Sequence, residues 1–336
     1  MDRSADIEGV GVLVVPHLYD LAATGDSLTT LRAVVGDIVI VSWVYERATH
    51  WILDRNGVRG QVGDVLLVRP DDDDDADGDD VDESPRDRVI DSLPRPDRKI
   101  YAIDFRVSES LDDIVAEITR IASLPRTEGT SAAARFDRPT NSTSLSLAGN
   151  LEQAVPESAA DHGSRTNEHQ PVLFGIGGVT TIDEAPTRRW YPVIDFSRCT
   201  NCMECIDFCL FGVYGVDTVE TILVEQPDNC RKGCPACSRV CPENAIIFPQ
   251  HKSPGIAGAP VDAGGLKIDL SKLFGAPDVD EDPIATAARE RDEQLLLAGR
   301  AAVGMEVGTP KRQQEKRQVP RDDLDNLLDE LEQLDL

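Results

Sequence analysis

The spacing of apolar positions changes along the chain, and each change marks an element. Residues 10–15, VGVLVV, form a short unbroken apolar run of the kind a buried strand shows. Residues 26–34, DSLTTLRAV, predict a short helix behind an Asp or Ser cap. Residues 37–43, DIVIVSW, then read as the next buried strand. The runs 64–68, DVLLV, and 99–105, KIYAIDF, read as two more, rich in the apolar and β-branched residues that suit strands. The clearest helix follows, where Leu111, Ile114, Val115, Ile118, Ile121 and Ala122 recur at helical spacing, with Ser110 and Asp113 placed for a capping box. Strands alternating with helices predict a mostly parallel sheet in roughly three layers, so residues 1–123 are read as an α/β domain.

The periodicity then lapses in three places. DDDDDADGDD at 71–80 packs like charges that cannot be buried, which makes it a solvated loop insertion. A calcium loop would need spaced ligands and a sharp Gly turn, and the spacing supplies neither. Residues 124–170 are rich in Ser, Thr, Ala and Asn and read as a disordered, flexible linker. After a smaller unit at 171–252, residues 253–336 form a Gly/Pro-rich segment and an acidic helical tail, with two helices expected. The last of these, 322–336, aligns Leu324, Leu327, Leu328, Leu331 and Leu334 on one stripe opposite an acidic face. Such a helix either docks on a partner surface or packs back on its own domain.

Charge narrows the function. Acids outnumber bases 61 to 34, for a net charge of −27, which argues against nucleic acid because phosphates need clustered Lys and Arg. The acidic opening and short apolar run of residues 1–20 lack the marks of a secretory signal, and no run of about twenty apolar residues follows to span a membrane. The expectation is a soluble, cytoplasmic protein, with no membrane and no nucleic acid among its partners. In that compartment thiols stay reduced, and dense cysteines signal metal or redox chemistry rather than disulfides.

All eight cysteines lie in two groups: Cys199-x2-Cys202-x2-Cys205-x3-Cys209, and Cys230-x3-Cys234-x2-Cys237-x3-Cys241-Pro242. Each group follows a polar lead and precedes a short apolar strand, VYGVD at 213–217 or AIIF at 245–248. The repetition suggests two pseudo-twofold halves, each a strand, a cysteine loop, a helix and a strand. A structural zinc site typically uses two C-x2-C pairs held apart by a longer loop. Three close cysteines with a fourth on a short helix suit an iron–sulfur cube instead, with the fourth turned toward a different cube. Residues 191–250 resemble a bacterial-type two-[4Fe–4S], or dicluster, ferredoxin domain. The resemblance implies a small α+β fold and two [4Fe–4S] clusters, one held by Cys199, Cys202, Cys205 and Cys241, the other by Cys230, Cys234, Cys237 and Cys209. Two departures stand out: Leu210 follows Cys209 where the family usually has Pro, and Cys230-Arg-Lys-Gly-Cys234 carries one extra residue, which Gly233 is suited to absorb.

Other features carry weaker chemistry. GIGGVT at 175–180 has the glycines of a dinucleotide loop but lacks the strand and helix such a loop needs. Arg188, Arg189, Arg231 and Lys232 place positive charge beside the cysteines, either to stabilise a reduced cluster, to guide a partner, or as ordinary solvated charge. His17 leaves the carboxyl end of a strand, where open α/β sheets usually place ligands. Trp43, Tyr45, His50 and Trp51 offer a face for a planar ligand, although aromatics at such spacing are more often core. The leading expectation is an electron-transfer protein with a redox partner protein that docks through the acidic C-terminal helix. The alternative is a redox enzyme or enzyme subunit whose N-terminal domain binds a substrate or cofactor, and a third reading makes the clusters structural only.

Overall fold

The computed structural model describes residues 2–67, 87–125, 178–260 and 283–308. The acidic stretch 71–80, most of the 124–170 linker and the terminal helix at 322–336 lie outside the described residues. Among the described residues, no helix is long and apolar enough to cross a membrane.

The N-terminal part runs α1 (Asp2–Ala5), β1 (Val12–Val14), α2 (Asp26–Ala33), β2 (Ile38–Ser42), α3 (Glu46–Arg55), β3 (Gln61–Val62), α4 (Val89–Ser92), β4 (Lys99–Asp104) and α5 (Leu111–Ala122). β2, β4 and β3 form a parallel sheet in that order, Ile38 opposite Ile100 and Gln61 opposite Lys99. β4 is covered on both faces. Tyr101 and Ile103 join Ile114, Ile118 and Ile121 of α5 in one cluster, while Ile100 faces the main core with α3. Such double burial explains its continuous apolar run. β1 stands apart from this sheet and pairs in parallel with β5 (Val179–Thr181), Val12 opposite Val179, far along the chain.

Two local expectations are corrected. Residues 64–67 do not form a strand: the pairing with β4 falls earlier, at 61–62, and the Leu66 amide donates to the Glu117 carboxylate at 2.8 Å instead of to a neighbouring strand. Ser110 does cap α5, accepting from the Asp112 amide at 3.2 Å, but no reciprocal bond from Asp113 completes a box. The Ser108 hydroxyl takes both of those partners, donating to Asp113 at 2.6 Å and accepting from the Ser110 amide at 3.0 Å.

The cysteine region contains β6 (Val193–Ile194), α6 (Glu204–Phe208), β7 (Tyr214–Val216), β8 (Ile222–Val224), α7 (Ala236–Arg239) and β9 (Ile246–Ile247). The outer strands β6 and β9 pair antiparallel, and so do the inner strands β7 and β8. The order strand, loop, helix, strand thus occurs twice, as the repeat predicts. α8 (Pro254–Ala257) and α9 (Pro283–Leu297) follow.

One hydrophobic core runs through both regions, from Leu18, Tyr19 and Leu28 through Trp51 and Ile52 to Tyr191, Val193, Ile247 and Phe248. α3 is its hinge point: all seven residues from Ala48 to Asp54 are buried, with β4 on one side and β6 on another. Tyr19 and Tyr191 stack at 4.3 Å across the same junction, and the Tyr191 hydroxyl donates to the Tyr19 carbonyl at 3.0 Å.

Candidate metal centre

The eight thiols gather around two cavities, each about 330 Å³ of space partly open to solvent. Cys199, Cys202, Cys205 and Cys241 line the first, and Cys209, Cys230, Cys234 and Cys237 line the second. In each cavity, therefore, the last cysteine of one sequence group faces three cysteines of the other. The fold does this because β6 pairs with β9 and α6 packs near α7, so the end of each helix reaches the loop of the opposite half. None of the eight is in a disulfide.

Backbone geometry around the loops fits an anionic guest. Asn201 and Met203 in the first loop adopt left-handed conformations at φ 57° and 64°, which turns the chain around the first cavity. The Asn201 amide points at Cys199 Sγ at 3.4 Å, and the Ala245 amide at Cys241 Sγ at 3.2 Å. In the second loop Gly233 takes φ 87°, absorbing the extra residue as its sequence position suggests. There the Tyr214 hydroxyl donates to Cys237 Sγ at 3.1 Å. The amides of Phe211, Gly212 and Val213 turn toward Cys209.

Burial pushes the Cys199 thiol up to about 12 and the Cys234 thiol to about 11, and it raises Cys205, Cys209, Cys230, Cys237 and Cys241 as well. Thiolates in these cavities thus need a compensating cation, and metal binding displaces their protons. Among the described residues, no three Cys, His, Asp or Glu side chains converge closely enough to hold a single metal ion. Four sulfurs spread around a shared space fit a multi-iron cluster, which takes one thiolate per iron, better than a compact zinc tetrahedron.

The surroundings of the two cavities differ in charge. Glu204, 2% exposed, and Glu243 line the first. Arg291, 1% exposed, and Arg231 line the second. Arg291 comes from α9 and lies 4.5 Å from the Phe208 ring; its guanidinium donates to the carbonyls of Val307 and Gly304, each at 2.6 Å, and to Asp292 at 3.2 Å. No feature of the cysteine spacing points to it: in sequence it is an arginine between Glu290 and Asp292, one turn after the buried Ala287 and Ala288 of α9, which packs on α7.

The remaining candidates are scattered. His17 lies 3.6 Å from Asp20, half exposed, and lines neither cavity. Tyr45, His50 and Trp51 are core residues, with Trp51 edge-on to Phe196 at 5.7 Å. Trp43 alone of the four is exposed, against Phe105 at 4.7 Å. Val179 and Thr180 of GIGGVT belong to β5, and 175–177 lie outside the described residues. Arg188 contacts Gln250, Arg189 pairs with Asp228 at 2.9 Å, and Arg231 lies over Phe211 at 5.6 Å. Lys232 is exposed.

Both cavities are lined by cysteines carried on paired strand, loop, helix and strand halves. An uncharacterized ferredoxin of Methanocaldococcus jannaschii is 50% identical to this chain over 66 residues, which are 19% of this chain. The chain spans 44% of that relative's length. No family model and no solved structure matches the chain.

Proposed function

We propose that this chain is an electron-transfer protein carrying two [4Fe–4S] clusters, one on Cys199, Cys202, Cys205 and Cys241, the other on Cys230, Cys234, Cys237 and Cys209. The observation that carries this reading is the sorting of eight thiols into two sets of four, each completed by a cysteine from the opposite half. Similarity to a ferredoxin supports the iron–sulfur chemistry. A [4Fe–4S] cluster supplies reversible uptake of one electron, at a potential set by net charge, hydrogen bonds to sulfur and solvent exposure. The chain's own contribution is to bury the thiols in part or in full, and to aim the Asn201 and Ala245 amides and the Tyr214 hydroxyl at sulfur. These donors are fixed in advance, so a change of charge in the cavity costs little reorganisation.

A redox partner protein supplies and removes the electrons, with residues 322–336 as its docking helix, a segment outside the described residues. Anaerobically purified or reconstituted protein is expected to contain about eight irons and eight acid-labile sulfides, with visible absorption that bleaches on reduction. Four irons or fewer, or stoichiometric zinc without colour, would remove the two-cluster reading.

A further inference from the structure

The last described stretch of the chain, beside the second cavity, carries a face that is both apolar and basic. Leu296 and Leu297 at the end of α9 are 61% and 75% exposed, and Met305 and Val307 in the turn behind it are 43% and 41% exposed. Hydrogen bonds hold the two stretches side by side. Asp292 accepts from the Gly304 amide at 2.7 Å, and Arg291 donates to the carbonyls of Gly304 and Val307. Positive charge lies next to these apolar side chains: Arg300, between the two stretches, and Arg231, on the second cysteine loop, lie over the Phe211 ring at 5.9 Å and 5.6 Å. Lys232 is exposed beside Arg231. Among the described residues, no carboxylate forms an ion pair with Arg231, Lys232 or Arg300. Glu306 and the exposed Asp207 offset part of this charge, which still stands out in a protein of net charge −27. A concentrated apolar patch rimmed by charge marks an interaction site.

The chain that follows starts on this face. A Cβ on Gly308 would stand 2.7 Å from the Asp207 carbonyl oxygen and 3.0 Å from the Phe208 Cα, so the backbone is pressed against α6 at the wall of the second cavity. Thirteen residues, 309–321, then lead to 322–336, a reach of at most about 45 Å. Residues 322–336 lie outside the described residues, and their sequence carries seven carboxylates, no cation, and Leu324, Leu327, Leu328, Leu331 and Leu334 at helical spacing. Both characters of the face are matched. We propose that residues 322–336 of this same chain cover it, with leucines against Leu296, Leu297, Met305 and Val307 and carboxylates toward Arg231, Lys232 and Arg300. A short tether gives an effective concentration in the millimolar range, so even a weak contact is populated within one chain. Resting on the electron-transfer reading above, the consequence is competition. The same leucines cannot hold a redox partner and their own chain at once, so a partner that docks on 322–336 must first lift them from beside the mouth of the second cavity.

The test is photocrosslinking of the reconstituted full-length protein at high dilution, with a benzophenone amino acid in place of Leu328 or, in a second preparation, of Leu331. Crosslinks are mapped by mass spectrometry, and iron is counted on the same sample. Crosslinks within one chain to residues 296–307 are expected from at least one of the two placements. Leu297→Asp should cut their yield several-fold, and so should Arg300→Glu, while Arg300→Lys, which keeps the charge, should restore it. Leu297 is already exposed, so its variant keeps the proposal testable if Arg300→Glu fails to fold. Crosslinks that join two copies would make a second copy the occupant and overturn the proposal. So would crosslinks that avoid 296–307 from both placements, or a yield that neither variant changes. An iron content fitting one cluster would overturn the two-cluster reading and leave the crosslinks standing, so the two failures are distinguishable.

Discussion

The first and second cysteine cavities arise from near-repeats in sequence, yet different parts of the chain close them. Around the first, the cover comes from the N-terminal region. The Val89 amide donates to the Cys199 carbonyl at 2.9 Å and the Ile90 amide to the Phe196 carbonyl at 3.0 Å, while Arg88 reaches Arg198 and Glu243. Arg47 of α3 engages both Asp195 and the Asn244 carbonyl. Around the second, the cover is α9 and the turn behind it, with Arg239 paired to Glu290 at 2.9 Å and Arg300 donating to the Leu210 carbonyl at 2.9 Å. The repeat thus supplies two similar sets of thiols, and later or earlier segments give each set its own electrostatic wall. Internal symmetry of ligands does not imply equivalence of the sites.

The sharpest way to break this comparison is to remove one ligand from each site. Cys241→Ala is expected to lose the centre shared with Cys199, Cys202 and Cys205, about half the iron, and to leave the other centre spectroscopically intact. Cys209→Ala should do the reverse. If each variant instead loses the centre nearest in sequence, the two motifs are self-contained and the crossed arrangement is wrong.

Next in size is the difference in cover. Arg291→Met removes two hydrogen bonds from a buried charged donor to the carbonyls of Gly304 and Val307, both on exposed residues, at about 1.5 kcal/mol for each bond to a charged group. A total of about 3 kcal/mol is expected in denaturant unfolding. Arg88→Ala, at the first cavity, removes a side chain that is one-third exposed and should cost about 1 kcal/mol. Equal losses would mean that the two covers contribute alike.

Acid should separate the two sides in another way. His50, in the wall of α3 behind the first cavity, has both ring nitrogens buried with no hydrogen-bond partner, and burial holds it down to about 4, helped by Arg95 and opposed by Asp195. Between about pH 6.5 and 4 the unfolded chain binds a proton at this site that the folded chain does not. Stability is therefore expected to fall by about 3 kcal/mol as pH drops through that window, and His50→Phe should remove this component. A variant with the same acid profile as wild type would show that His50 is protonated alike in both states. The smallest effect is expected at Gly233→Ala. Its added Cβ meets nothing within 4 Å, so only the left-handed backbone resists it, at about 1 kcal/mol.

How much of this was legible in the sequence follows from how local each feature is. The cysteine grouping was legible because ligand spacing is set within a few residues, and β2, β4, α2 and α5 were legible because each carries a local signal, a continuous apolar run in the strands or a helical period in the helices. α3 escaped notice because it is buried all round and carries Thr49, His50 and Asp54 inside, so no amphipathic stripe marks it. The pairing of β1 with β5 and the arrival of Arg291 at the second cavity are contacts between distant segments, which no local pattern encodes.

The pairing of β1 with β5 changes what the intervening chain must do. Residues before 126 and after 177 are joined by a shared strand pair, by the Tyr19 and Tyr191 stack and by a common core that includes α3 and β6. Peptide continuity through that interval is thus redundant for holding the halves together. The gene offers there a natural place for fission into two open reading frames, whose products would assemble as subunits of one heterodimer and preserve the interface that backs the first cavity.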